Sequence, residues 1–238
     1  MKNAPFAPLI YREYVICKKA LLTALISVPI FSTLPILMAL SLRFGNLAML
    51  PEVIVADLRA NDDLLLKLNT VIAPCMLCLS VAETAIHDAM PKWEHFRRST
   101  PVPPARMALA KYTFYAMMLA GSFLFAVAAL WIFTLAMDIS MLKTDFALIL
   151  LLITQICILS VSAQFFITLF RSVDKGMLAM MVSMALPALL YANPNRSITA
   201  EIVLAFAERN LPVFPVIMVI VLVIGFGLTT LLYKRRER

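Results

Sequence analysis

The chain has 238 residues, of which 62% are hydrophobic and 15% charged, with a formal net charge of +7 and a mean hydropathy of +0.91. Soluble domains carry roughly 25% charged residues, and here the few charges gather between long apolar runs, with no interval long enough to bury a core of its own. Composition therefore excludes an ordinary soluble protein and points to an all-α integral membrane protein, one transmembrane domain over residues 1–238 with membrane lipid as its solvent.

Residues 1–19 carry Pro5, Pro8, Arg12, Glu13, Lys18 and Lys19, and no compact apolar region precedes a small-residue cleavage site, so they do not read as a cleavable signal. Phe6, Leu9, Ile10, Tyr14 and Ile16 instead line one side of an expected N-terminal interfacial helix, with Arg12 and Lys19 among headgroups. Six spans of about 20 apolar residues follow, the length that a hydrocarbon core demands. The first is expected over 20–42, bent at Pro29 and Pro35, and the second over 65–86. The third, 107–137, is long enough to tilt. The fourth covers 146–170, and Arg171 to Gly176 form a tight turn into the fifth, 177–191. Residues 192–211 read as an outer amphipathic segment, with Ile198, Ile202, Ala205 and Phe206 at helical spacings before Glu208 and Arg209. The sixth span, 213–233, ends in Lys234-Arg235-Arg236-Glu237-Arg238.

The basic residues orient this plan. With the N-terminus inside, 15 of the 21 Lys and Arg fall on cytoplasmic segments, leaving Arg43, Arg59, Lys67, Lys143, Arg196 and Arg209 outside. That bias and an even number of spans place both termini in the cytoplasm of a multi-pass membrane protein. The net charge is thus a topology signal; no basic face stands apart from the membrane to bind nucleic acid.

Most enzyme chemistry lacks its residues. A phosphate loop needs closely spaced glycines followed by Lys, and the five glycines at 45, 121, 176, 225 and 227 form none, so no ATP-binding motif is present and ATP hydrolysis is not expected in this chain. Cys75 and Cys78 have a redox or zinc spacing but lie in the second span without a second ligand pair; they read as small buried residues rather than a metal site. Glu83 lies about a turn inside the cytoplasmic end of span two and Lys111 about a turn into span three. Charges at that depth need a partner, and an ion pair between the two is expected. Gln155, Ser162 and Gln164 are the polar side chains of span four: helix–helix hydrogen bonding is one use for them, and lining a translocation path is another. Met177, Met180, Met181 and Met184 would suit an amphipathic solute, or simple packing.

The longest polar interruption between apolar runs is the cytoplasmic stretch 87–106. Trp93 and Phe96 share a face if 88–98 is a short helix; Lys92, Arg97 and Arg98 make it basic, and Pro101, Pro103 and Pro104 end it. Such a helix lies along the membrane surface and offers its aromatic pair to a partner, or else rests it on lipid headgroups. The run Asp88…Lys92-Trp93-Glu94…Arg98-Ser99-Thr100-Pro101-Val102…Arg106…Lys111-Tyr112 resembles the first cytoplasmic loop of the ABC-2 type transporter permeases. Thr100 stands where that family has an apolar residue, and Pro103-Pro104-Ala105 intervene before Arg106. The resemblance implies the ABC-2 exporter fold with six transmembrane helices in a bacterial inner membrane. It also implies a coupling helix in which Asp88, Lys92, Trp93, Glu94, Phe96, Arg97 and Arg98 meet a separate cytoplasmic ATPase. ATP and Mg would act in that subunit, with no cofactor in this chain, and a second copy or a related permease would complete the path. Two other classes stay open: an accessory or immunity-type membrane protein that binds without transporting, and a membrane-embedded lipid-modifying enzyme, for which no acidic or histidine cluster is gathered.

Overall fold

A computed structural model describes residues 6–44, 67–75, 77, 82–88, 102–137, 140–191 and 200–237. The stretch expected to form a coupling helix, with Lys92, Trp93, Glu94, Phe96, Arg97 and Arg98, lies outside these residues, as do Cys78 and the first part of the 192–211 segment. Among the described residues the chain is all-helical. In chain order the elements are α1 (Ala7–Phe44), α2 (67–75), α3 (Ala82–Asp88), α4 (Pro104–Met137), α5 (Lys143–Phe170), α6 (Val173–Tyr191), α7 (Ala200–Arg209) and α8 (Val213–Glu237). Four stretches are long and apolar enough to cross a membrane: Ala7–Leu37, Pro104–Met137, Lys143–Phe170 and Val213–Arg235. The chain is a multi-pass membrane protein.

α1 corrects one expected boundary. Within the described residues, the separate interfacial helix expected before residue 20 and the span from 20 are one continuous helix, Ala7–Phe44, of 38 residues. No Gly or Pro stands between Tyr11 and Val28 to stop it, and Pro29 and Pro35 sit inside the helix without ending it. Proline is tolerated in membrane helices where neighbouring groups satisfy the carbonyls it frees. Such a repair is visible on α2. Pro74 has no N–H for the Thr70 carbonyl four residues earlier, and Ser32 Oγ of α1 donates to that carbonyl instead, 3.2 Å away.

α5 is the central helix. Of its most apolar stretch 56% is buried, against 17–28% for the other three spans, and it packs on α3, α4, α6, α7 and α8. Its start lies three residues before the expected span, because Asp145 in the first turn accepts the Leu142 N–H at 2.8 Å and so fixes the entry. At its other end Arg171 takes the left-handed conformation (φ 52°) that closes a helix, and α6 begins two residues later. Gly176 makes this hairpin tight: a Cβ there would lie 2.7 Å from the Ile167 backbone. Gly225 does the same for α8, where a Cβ would fall 2.6 Å from Val161 and 2.7 Å from the Tyr112 hydroxyl.

Between these contacts lies a core of Tyr115, Leu130, Phe133, Ile149 and Ile153, all buried. Tyr115 Oη donates to the Ile156 and Cys157 carbonyls at 3.4 Å, and the Tyr112 and Thr229 hydroxyls meet at 3.1 Å, so α4 is stitched to both α5 and α8. On the outside of the bundle instead are residues such as Leu124, Trp131, Val223 and Leu231, all well exposed. α7 falls within the expected amphipathic segment, with Ala207 buried against the bundle and Phe206 exposed.

Candidate functional site: a buried ionic cluster around Asp88

α3 ends at Asp88, and three other helices converge on that carboxylate. Arg12 Nη2 of α1 donates to Asp88 Oδ1 at 2.9 Å. Tyr233 Oη of α8 donates to Oδ2 at 2.8 Å. Lys111 Nζ of α4 forms an ion pair with the same Oδ2 and lies 3.5 Å from the Thr84 carbonyl. Arg12 Nη1 also pairs with Glu13 Oε1 at 2.6 Å. Two cations therefore balance two anions, and the Asp88, Lys111 and Glu13 side chains are 6%, 3% and 2% exposed. Charges so placed are stable only as a set, since each loses its water and regains it as partners. Burial alone would raise the Asp88 pKa, but the charges of Lys111 and Arg12, with the hydrogen bonds from Lys111 and Tyr233, hold it below the ordinary aspartate value.

Two expectations are corrected here. Lys111 pairs with Asp88, and Glu83 is exposed. Five helical residues turn through about 500°, so Glu83 and Asp88 point roughly 140° apart. Thr84 and Asp88, four apart, share a face, and Lys111 meets both. Asp88 was expected on a partner-facing helix; its carboxylate is instead committed inside the bundle to three side chains.

A second buried ion pair lies at the other end of the same segment. Lys67 Nζ of α2 is 3.0 Å from Asp145 Oδ1 of α5, with both side chains under 10% exposed. The sequence reading places Lys67 on the outer side and does not join it to Asp145. Both head or precede apolar helices, which is the one signal that could have paired them.

The three polar residues of α5 do not share a face. Gln155 is exposed, Ser162 partly buried and Gln164 buried. Residues 155 and 162 differ by two turns and stand together, whereas 164 is half a turn away from 155. Cys17, Cys75 and Cys157 are buried thiols, none of them in a disulfide. Among the described residues no three His, Cys, Asp or Glu side chains come together as metal ligands. Compared with family models, curated proteins and solved structures, the chain matches none.

Proposed function

We propose that this chain is the transmembrane permease subunit of an ATP-driven exporter of the ABC-2 type. It works as a dimer, with itself or with a related permease, and is driven by a separate cytoplasmic ATPase that binds ATP and Mg. Its home is a bacterial inner membrane, with both termini and the 89–101 segment in the cytoplasm. Six spans result when the segments at 65–86 and 177–191 are added to the four long apolar helices. The observation that carries the reading is the connectivity of Asp88. It immediately precedes the segment that resembles a coupling helix, and it is tied to α1 through Arg12, to α4 through Lys111 and to α8 through Tyr233. A push on that segment is therefore delivered to three helices at once through two ion pairs and a hydrogen bond, which is what a mechanical coupling between an ATPase and a bundle requires.

The test is on the segment itself. Trp93 and Phe96 would be the aromatic anchors in the ATPase groove, with Arg97 and Arg98 at its rim. Trp93→Ala should cost on the order of 2 kcal/mol of docking, read as loss of the ATPase from the purified complex and loss of export while the permease still inserts. Unchanged copurification and export in both Trp93→Ala and Phe96→Ala would remove the reading.

A further inference from the structure

Gln164 and Ser160 break the rule that polar groups buried in a bundle are hydrogen-bonded. Gln164 is 2% exposed and Ser160 1%. Among the described residues neither amide atom of Gln164 nor the Ser160 hydroxyl has a hydrogen-bond partner. The two are four residues apart, one turn on one face of α5, and they stand on the most enclosed helix of the protein rather than on a lipid-facing side. On that face Ile156, Ala163 and Ile167 are apolar and buried, Thr168 adds a buried hydroxyl one turn beyond Gln164, and at Ile167 the close passage of Gly176 brings α6 against it. A leucine would serve packing better, because an unmade amide loses its water bonds and regains nothing. Departures of this kind from local consistency are characteristic of functional positions.

We infer that Ser160 and Gln164 form a binding site for a neutral hydrogen-bonding solute, one bearing an amide or hydroxyl group. The chemistry of the pair sets the class. A carboxamide offers both a donor and an acceptor, and the serine hydroxyl can act as either, so a group that itself donates and accepts is matched on both counts. Charge is disfavoured: between Asp145 and Arg171, α5 carries no ionised side chain, and an ion here would be buried without a counter-charge. The inference deepens the permease reading by giving it a solute contact, but binding is measured on the chain alone, so its failure leaves the ATPase test untouched.

The experiment uses the full chain in detergent and trifluoroacetamide as the probe, followed by 19F line broadening. Trifluoroacetate, of the same shape with a negative charge, is the control. The wild-type chain should broaden the amide signal saturably and the carboxylate signal little. Gln164→Leu should abolish the saturable part and Ser160→Ala should weaken it. Gln164→Leu should also melt higher without probe, since it removes an unpaired amide; a structural glutamine would give the opposite shift. Equal broadening by wild type and Gln164→Leu, or none by wild type, overturns the site. If Gln164→Leu does not fold, the same comparison made with Ser160→Ala decides: undiminished broadening there overturns the site as well.

Discussion

At the Asp88 end of the α2–α3 segment, one carboxylate gathers an arginine, a lysine and a tyrosine from three different helices. At the Lys67 end the ammonium meets the Asp145 carboxylate, and that carboxylate also holds the Leu142 N–H that starts α5. Both ends solve the same problem, which is how to keep charge inside an apolar bundle, and both use direct ion pairing. They differ in what fails when one partner goes. Removing a group from the Asp88 end strands charges on several helices, whereas removing Lys67 leaves Asp145 with a backbone donor. A segment anchored in this way has one end tied through a single carboxylate to three helices, and one end whose charge pair reaches α5 while the Ser32 hydrogen bond to Thr70 links it to α1.

The sharpest way to break the comparison is Asp88→Ala. Lys111 and Arg12 would both lose the Asp88 carboxylate, leaving Glu13, which pairs with Arg12 and also attracts Lys111, to balance both cations. Loss of one partner from a buried ionic set costs about 3–5 kcal/mol, and thermal unfolding in detergent should show it. The pH dependence has a definite sign. Because the folded protein holds the Asp88 pKa below its ordinary 3.8, the carboxylate contributes its full stabilisation above that value and loses it as pH falls through the folded one. Wild-type stability should therefore show an Asp88-dependent drop only below about pH 4, and this drop should be missing from Asp88→Asn.

Lys67→Met tests the other end. Asp145 keeps its bond to Leu142, so the expected cost is on the order of 1–3 kcal/mol, the range for leaving a buried group short of a partner. A loss as large as that of Asp88→Ala would show that the two ends are equally critical and would erase the contrast. Tyr233→Phe is milder still within the Asp88 cluster, because it deletes one hydroxyl donor to an ionised acceptor and leaves both ion pairs; about 1.5 kcal/mol is expected.

Much of the fold is legible in the sequence, because apolar length and helical periodicity are local properties. α4, α5 and α8 lie where apolar length places the third, fourth and sixth spans, but α4 and α5 begin three residues earlier than expected, at Pro104 and Lys143. The continuity of α1 was hidden by composition: Lys18 and Lys19 read as a surface boundary, yet nothing there interrupts a helix. The ionic cluster was half legible. The depth of Lys111 announced that it needed an acid, but the sequence offered Glu83 and Asp88 five residues apart, and only the direction in which α3 presents its faces separates them. Arg12 and Tyr233 were beyond reach, since they come from opposite ends of the chain. Gln164 was singled out for its polarity, while its separation from Gln155 follows simply from counting turns.

The smallest expected effect belongs to Glu83, and it is the one that isolates face from depth. Glu83 and Asp88 flank the same boundary, and by depth alone either would serve Lys111. The helix turns Glu83 outward, where it is exposed, so Glu83→Gln should change stability by no more than about 0.5 kcal/mol, as surface substitutions do. A double-mutant cycle makes the comparison quantitative. Glu83→Gln combined with Lys111→Met should be additive, whereas Asp88→Asn combined with Lys111→Met should cost much less than the two single changes together, since each single change leaves the other charge buried without its main partner. A coupling of 1 kcal/mol or more between 83 and 111 would return the pairing to Glu83 and would leave Asp88 free to turn towards the polar segment that follows it.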